Sequence, residues 1–135
     1  MIASEPLQAI VVSCGFGAKL EQMIAVADDG RIWTLSPSHD LIGNPLLPAL
    51  HGGAVTAFIQ LACGAAVTHA SDLSVLPRLI SANVQFLAPM RLQDISTTPV
   101  IRRIGRRVAV VHAEAWQADR EQPVCAVQCE FSLAG

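Results

Sequence analysis

The longest apolar segment of the chain covers residues 50–70 and reads LHGGAVTAFIQLACGAAVTHA. After the His-Gly-Gly turn, Gln60 is the only strongly polar side chain before His69. A segment that is apolar on every side is typical of a helix enclosed by protein. The glycine pair places backbone N–H groups at the helix N-terminus, where a partial positive charge gathers. We therefore predict a buried central helix over about residues 51–70, with a polar tip.

The segments around this helix show strand and turn patterns. Residues 19–27 and 31–36 are short runs joined by Asp28-Asp29-Gly30, a hairpin signal. Residues 36–48 are rich in turn formers and are predicted as a loop, and residues 6–14 as a short amphipathic helix. Apolar and polar residues alternate after the helix, which predicts strands at 79–87, 97–104, 108–117 and 124–133. In the first of these, the period places four residues on one face: Ile80, Ala82, Val84 and Phe86.

This order of elements favours an α+β fold in a single domain, residues 1–135. A hairpin, one apolar helix and a run of antiparallel strands pack most economically as a curved sheet around the helix. We expect about five or six strands in that sheet.

Composition adds a prediction about assembly and excludes two classes of partner. Hydrophobic residues make up 52% of the chain and charged residues 15%, which predicts that further surface is buried against copies of the chain. The net charge of −2 argues against a general nucleic-acid binder. The apolar run after the His-Gly-Gly turn is shorter than the roughly 20 residues that span a membrane, carries Gln60 in its middle and lacks flanking Lys or Arg, so we expect no membrane span. The first residues, MIASEPLQAI, do not resemble a secretory signal, and we expect a cytoplasmic protein.

The four cysteines, Cys14, Cys63, Cys125 and Cys129, show no zinc-type spacing. Two of them share a strand face with apolar neighbours. We predict buried thiols and no metal site.

Three stretches of the chain resemble a known family. The run GNPLLPALHGGAV, the strand SANVQFLAPMR and the hairpin GRRVAVVHAEAW…REQPVCAVQCEFSL are similar to hotdog-fold thioesterases of the PaaI-like and 4-hydroxybenzoyl-CoA thioesterase branch. The resemblance covers about residues 30–133. It implies a sheet wrapped around the helix that pairs edge to edge with a second subunit, in a homodimer or a dimer of dimers, with active sites at the dimer interface. It also implies an acyl-CoA or other thioester substrate, hydrolysed by water, and no cofactor beyond the coenzyme A of the substrate.

The resemblance assigns the tip of the helix to the reaction. Gly52 matches the position whose N–H contacts the thioester oxygen, and a preorganised backbone donor there suits the developing negative charge. The resemblance also implies that Gly53 is among the residues that bind the coenzyme A part of the substrate. Alternatively, both glycines only allow tight packing of the turn. His51 either orients this turn or holds a water; alternatively, it only forms hydrogen bonds with nearby backbone. Asn44 resembles an Asn that contacts the water or carbonyl, although Asn44-Pro45 is also an ordinary turn pair.

Gln60 departs from the family pattern, because the matching position carries Asp or Glu. An amide can position a water but cannot accept its proton, and general-base help is typically worth 10²–10⁴ in rate. Three interpretations remain open. The protein is a slow thioesterase, or Asp40 replaces the missing carboxylate, or the protein is a non-catalytic acyl-CoA-binding or regulatory subunit. Gly64, one turn further, leaves room for a bulkier acyl group or allows close helix packing.

Four arginines surround the turn at Gly105: Arg102, Arg103, Arg106 and Arg107. Arg binds phosphate in a bidentate geometry, and coenzyme A carries a 3′-phosphate and a pyrophosphate. We predict that this arginine cluster contacts coenzyme A; the alternative is a solvated edge that discourages aggregation. His112 and Glu114 share a strand face and are expected to face solvent or a subunit contact.

Overall fold

The computed structural model describes residues 24–28, 30–37, 42–44, 47–50 and 52–133. In this part of the chain, one helix, α1 (Gly52–Ala70), is surrounded in sequence by eight strands. These are β1 (Ile24–Ala27), β2 (Ile32–Leu35), β3 (Ile42–Asn44), β4 (Leu47–Leu50), β5 (Arg78–Phe86), β6 (Ile95–Ile104), β7 (Val108–Trp116) and β8 (Cys125–Ser132). Six of them form an antiparallel sheet in the order β1-β2-β6-β7-β8-β5, and β3 pairs with β4 separately.

Helix α1 packs against one face of the six-stranded sheet. In β7, alternate residues Ala109, Val111, Ala113 and Ala115 are fully buried, and the residues between them are not. In β8, Cys125, Val127, Cys129 and Phe131 are buried in the same way. The small side chains of β7 let the helix lie close to the sheet, where Val55, Phe58 and Ile59 fill the core. One helix against a six-stranded antiparallel sheet confirms the predicted hotdog architecture.

The helix is a core element. Its 19 residues have the length and composition of a membrane span, with a mean hydropathy of 1.3. However, 56% of that window is buried inside the chain, as is usual for the central helix of a globular domain. Packing against the sheet therefore accounts for the absence of charged residues from this helix.

The predicted loop at residues 36–48 is wrong in part. Strands β3 and β4 lie within this region and pair antiparallel, with Ile42 opposite Leu50 and Asn44 opposite Leu47. Strands of three and four residues are too short to show a two-residue period, and the intervening glycine and prolines hide them. The predicted helix at residues 6–14 lies outside the described residues.

A bulge interrupts the face predicted for β5. Leu79 pairs with Phe131 and Ser81 with Glu130, so Ile80 is the extra residue between them. Strand β5 is the last strand of the sheet, and Ile80 and Phe86 remain 51% and 56% exposed. The strand itself is confirmed, but its apolar side chains do not all enter the core.

Candidate functional site

The tip of α1 is formed by Gly52, its first residue. The hydroxyl of Thr56 donates a hydrogen bond of 2.7 Å to the Gly52 carbonyl oxygen, which ties the first two turns together. The first N–H groups of an α-helix have no acceptor within the helix, and the helix dipole adds partial positive charge there. This end of α1 therefore has the chemistry to stabilise a developing oxyanion.

The ring of Phe86 lies directly against Gly52. A Cβ atom added to Gly52 would stand 3.1 Å from Cζ and 3.4 Å from Cε1 of that ring. This contact would be tighter than most, so a side chain at position 52 would require the ring to shift by a few tenths of an ångström. The sequence predicted the strand that carries Phe86 but not this contact, because the two residues are 34 positions apart in the numbering.

Gln60 lies two turns beyond the tip and is half-buried. At about 1.5 Å per residue, eight residues separate it from Gly52 by about 12 Å along the helix axis. Gln60 and Gly52 are therefore separated along the helix rather than adjacent on it.

Asn44, His51 and Asp40 are the other residues predicted near the tip. Asn44 lies at the end of β3, opposite Leu47. His51 and Asp40 lie outside the described residues, so their roles remain predictions.

The arginine cluster lies at the far end of the sheet from Gly52. Phe86, beside Gly52, pairs with Cys125, and the register continues through Ala115 to Thr97. The hairpin turn at Gly105 instead follows Ile104, seven residues further along β6 than Thr97. Seven strand residues span about 23 Å. All four arginines are exposed, but within one chain they do not surround the helix tip.

His112 and Glu114 lie on the sheet face opposite to α1. Their neighbours in β7, Ala113 and Ala115, point into the core, so alternation directs His112 and Glu114 outward. Glu114 is exposed and His112 half-buried. This agrees with the expectation that they face solvent or a subunit contact. Among the described residues, no group of three or more His, Cys, Asp and Glu is placed to hold a metal ion.

Three cysteines, Cys63, Cys125 and Cys129, are free and fully buried, as predicted for the thiols. The Cys63 thiol is hydrogen-bonded to Cys129, and this bond together with burial raises the pKa of Cys63 well above its ordinary value. Burial raises the pKa of Cys125 to about 11. Cys63 and Cys125 are therefore neutral core side chains at physiological pH and do not serve as nucleophiles. The same hydrogen bond with Cys63 lowers the pKa of Cys129. Cys14 lies outside the described residues.

Comparison with known proteins identifies the relatives of the chain. Residues 44–132 match the sequence model of the acyl-CoA thioesterase N-terminal domain. A search of curated proteins found no sequence relative.

Solved structures share the fold over almost the whole chain. Thioesterase superfamily member 2 from Mus musculus superposes with a TM-score of 0.78 at 16% identity, over 99% of this chain and 100% of that one. A phenylacetic acid degradation-related protein from Ralstonia eutropha gives 0.74 at 17% identity, over 95% and 98%. A protein from Chromobacterium violaceum gives 0.68 at 28% identity, over 98% and 93%.

The sequence match covers well over half of the chain, and the structural matches have the same single helix against an antiparallel sheet. The chain therefore belongs to the acyl-CoA thioesterase N-terminal domain family of the hotdog-fold thioesterase superfamily.

Proposed function

We propose that the protein is an acyl-CoA thioesterase. Water attacks the thioester carbonyl, the C–S bond breaks, and a carboxylic acid and the thiol of coenzyme A are released. The observation that carries this proposal is the glycine tip of α1 in a chain of the acyl-CoA thioesterase family. The Gly52 N–H binds the carbonyl oxygen as it gains negative charge, a contribution on the order of 10²–10³ in rate.

The separation of Gly52 and Gln60 supports a site built by two subunits. Strand β5 forms one edge of the sheet and exposes Ile80, an edge suited to pairing with a second copy. Antiparallel pairing of β5 with its copy about a twofold axis makes the two central helices antiparallel. The tip of one helix then faces the middle of the other, so Gln60 of the partner subunit holds the water near Gly52.

The same twofold pairing accounts for the distant arginines. It brings the Gly105 hairpin of the partner subunit to the end of the joined sheet where Gly52 of the first subunit lies. Coenzyme A is long enough to extend from the tip of α1 across the sheet toward that hairpin, and its phosphates are ligands that arginine binds well. We therefore propose that the arginine cluster serves the site of the other subunit, within a homodimer or a dimer of dimers.

The amide of Gln60 sets the expected rate. Without a carboxylate at this position the enzyme is slow, unless Asp40 supplies the base. The same amide favours a second candidate function, a non-catalytic acyl-CoA-binding or regulatory subunit. The free buried thiols are compatible with a reducing, cytoplasmic location.

The role of the Gly52 N–H is tested by comparing Gly52→Pro with Gly52→Ala. Proline is tolerated at the first position of a helix and removes the N–H, whereas alanine retains it. Both variants add a Cβ atom close to the ring of Phe86, so the loss of activity that they share measures the effect of disturbing this contact. We expect kcat for acyl-CoA hydrolysis to fall on the order of 10²-fold further in Gly52→Pro than in Gly52→Ala. Equal rates in the two folded variants would contradict the proposed oxyanion contact.

A second experiment separates the enzyme from the binding subunit. Release of coenzyme A thiol is measured from aryl- and alkyl-CoA esters with the wild type, Gln60→Glu and Asp40→Asn. Wild-type turnover that Asp40→Asn abolishes supports a relocated base. Turnover that appears only in Gln60→Glu supports the non-catalytic alternative. If the protein binds no acyl-CoA at all, both candidate functions are wrong.

A further inference from the structure

We propose that Phe86 determines which acyl groups the protein accepts. The inference rests on the proposed function, because it places the acyl group beside the Gly52 tip. It concerns a residue to which the sequence pattern assigned only a place in a strand.

Phe86 differs from the aromatic residues of the core. Phe58, Phe131 and Trp33 are 0%, 3% and 1% exposed, whereas Phe86 is 56% exposed. One side of its ring is covered by Gly52, and the rest is left open. An aromatic ring presents a large apolar area, and leaving half of it in water forgoes that part of its hydrophobic stabilisation. The open part of the ring is thus available to an apolar ligand.

The backbone that carries this ring is held in place on both sides. Phe86 is the last residue of β5 and pairs with Cys125 at the start of β8. The N–H of Leu87 donates a hydrogen bond of 2.8 Å to the Val124 carbonyl oxygen, and the N–H of Ala88 donates to the same oxygen at 3.3 Å. Because the backbone is hydrogen-bonded on both sides of residue 86, Phe86 can form a fixed boundary of the space that is open to a ligand.

The position of the Phe86 ring relative to Gly52 determines which acyl chain lengths fit. A carbonyl bound at the Gly52 N–H lies at the residue that the Phe86 ring contacts, so its acyl substituent is expected to approach that ring. The ring then limits how far the acyl chain extends on that side. Removing the ring opens the space and favours longer acyl chains, and enlarging it favours shorter ones.

The test uses ligands that cannot be hydrolysed, so that it does not depend on turnover. Dissociation constants are measured for the thioether analogues of acetyl-, hexanoyl-, decanoyl- and palmitoyl-CoA. The proteins are the wild type, Phe86→Ala, Phe86→Trp and the control Leu87→Ala, whose side chain is adjacent and 51% exposed. Relative to the acetyl analogue, we expect the palmitoyl analogue to gain about tenfold in affinity in Phe86→Ala and to lose affinity in Phe86→Trp. Leu87→Ala is expected to retain the wild-type ranking.

Hydrolysis of the matching acyl-CoA esters is measured in parallel to separate the two proposals. If the rankings move with Phe86 but the wild type hydrolyses nothing, the thioesterase proposal fails and this inference stands. If the wild type hydrolyses acyl-CoA but the rankings are the same in all variants, or move equally in Leu87→Ala, this inference is overturned alone. If none of the analogues binds, both are overturned. Phe86→Trp retains an aromatic contact, so it tests the inference even if Phe86→Ala unfolds.

Discussion

Gly64 of α1 and Phe131 of β8 pack against each other across the core. A Cβ atom added to Gly64 would stand 3.6 Å from Cε1 of Phe131 and 3.4 Å from Cδ2 of Leu76. Gly64 is buried, and these two side chains already occupy the space beside it. The structure therefore favours close helix packing over the alternative that Gly64 leaves room for an acyl group.

This contact predicts that Gly64→Ala is tolerated and stabilising. The distances are those of ordinary van der Waals contacts, and alanine is better than glycine in a helix by up to about 1 kcal/mol. We expect the free energy of unfolding in urea to rise by a similar amount. Gly64→Val is the matched control, because its extra methyl groups overfill the site and cost about 1–3 kcal/mol. A loss of stability in Gly64→Ala would show that Leu76 and Phe131 cannot adjust.

The buried thiols predict that stability falls in alkaline solution. Burial holds the pKa of Cys125 at about 11 in the folded chain, whereas an unfolded thiol titrates near about 8.5. Between these values the unfolded state releases a proton that the folded state keeps. The contribution of the Cys125 thiol to the free energy of unfolding is therefore complete below the unfolded pKa and is lost as the pH rises through the folded pKa. The sequence has no Tyr and a single Lys, so few side chains other than the remaining three cysteines titrate in this range.

We expect the melting temperature to decline more steeply with pH in the wild type than in Cys125→Ala between about pH 8.5 and 11. The difference between the two proteins at neutral pH measures the packing cost of the substitution alone. Parallel curves for the two proteins would mean that Cys125 is not protected from titration.

The exposed edge of β5 predicts that a charge there splits the dimer. Ile80 is 51% exposed on this strand, and a lysine at a sheet edge discourages pairing with another chain. We expect sedimentation to show the wild type as a dimer or a larger oligomer and Ile80→Lys as a monomer. Val100→Lys is the control, since Val100 is 50% exposed but lies on β6, away from the edge. A monomeric wild type would contradict a site built by two subunits.

The arginine cluster predicts a defect confined to substrates that carry the nucleotide. Hydrogen bonds to charged groups contribute about 1.5–3 kcal/mol, so replacing Arg106 and Arg107 by Gln should raise KM for acyl-CoA about tenfold or more. The corresponding acyl-pantetheine lacks the nucleotide, and its KM should not change. Arg31→Gln, at the exposed β1–β2 turn, controls for the general loss of positive charge. Equal effects on both substrates would indicate a solvated edge with no role in binding coenzyme A.

Several elements follow from the sequence alone because their physical cause is local. The helix of residues 50–70 is recognisable because apolar residues on every side require enclosure, and α1 begins and ends within one or two residues of the prediction. Strands β7 and β8 are predicted from their alternation, which is less clean in β7, and in the structure their residues alternate between buried and less buried because one face meets the helix. The hairpin of β1 and β2 follows from Asp28-Asp29-Gly30, and Asp28 and Gly30 adopt positive φ values of 54° and 88°.

Other features depend on contacts between distant parts of the chain, which no local pattern encodes. The small β3–β4 sheet and the bulge at Ile80 depend on how neighbouring strands pair, and edge strands are only weakly constrained by burial. The family resemblance assigned Gly52, Gln60 and the arginines to one site at a dimer interface. The tertiary structure separates them by about 12 Å along the helix and by the length of the sheet, because a helix and a strand each advance a fixed distance per residue. The sequence by itself thus determined the central helix, the strands around it and the missing carboxylate at Gln60. Only the tertiary structure decided that the ring of Phe86 lies against Gly52 and that the arginine cluster lies at the opposite end of the sheet, because both depend on how distant strands pair.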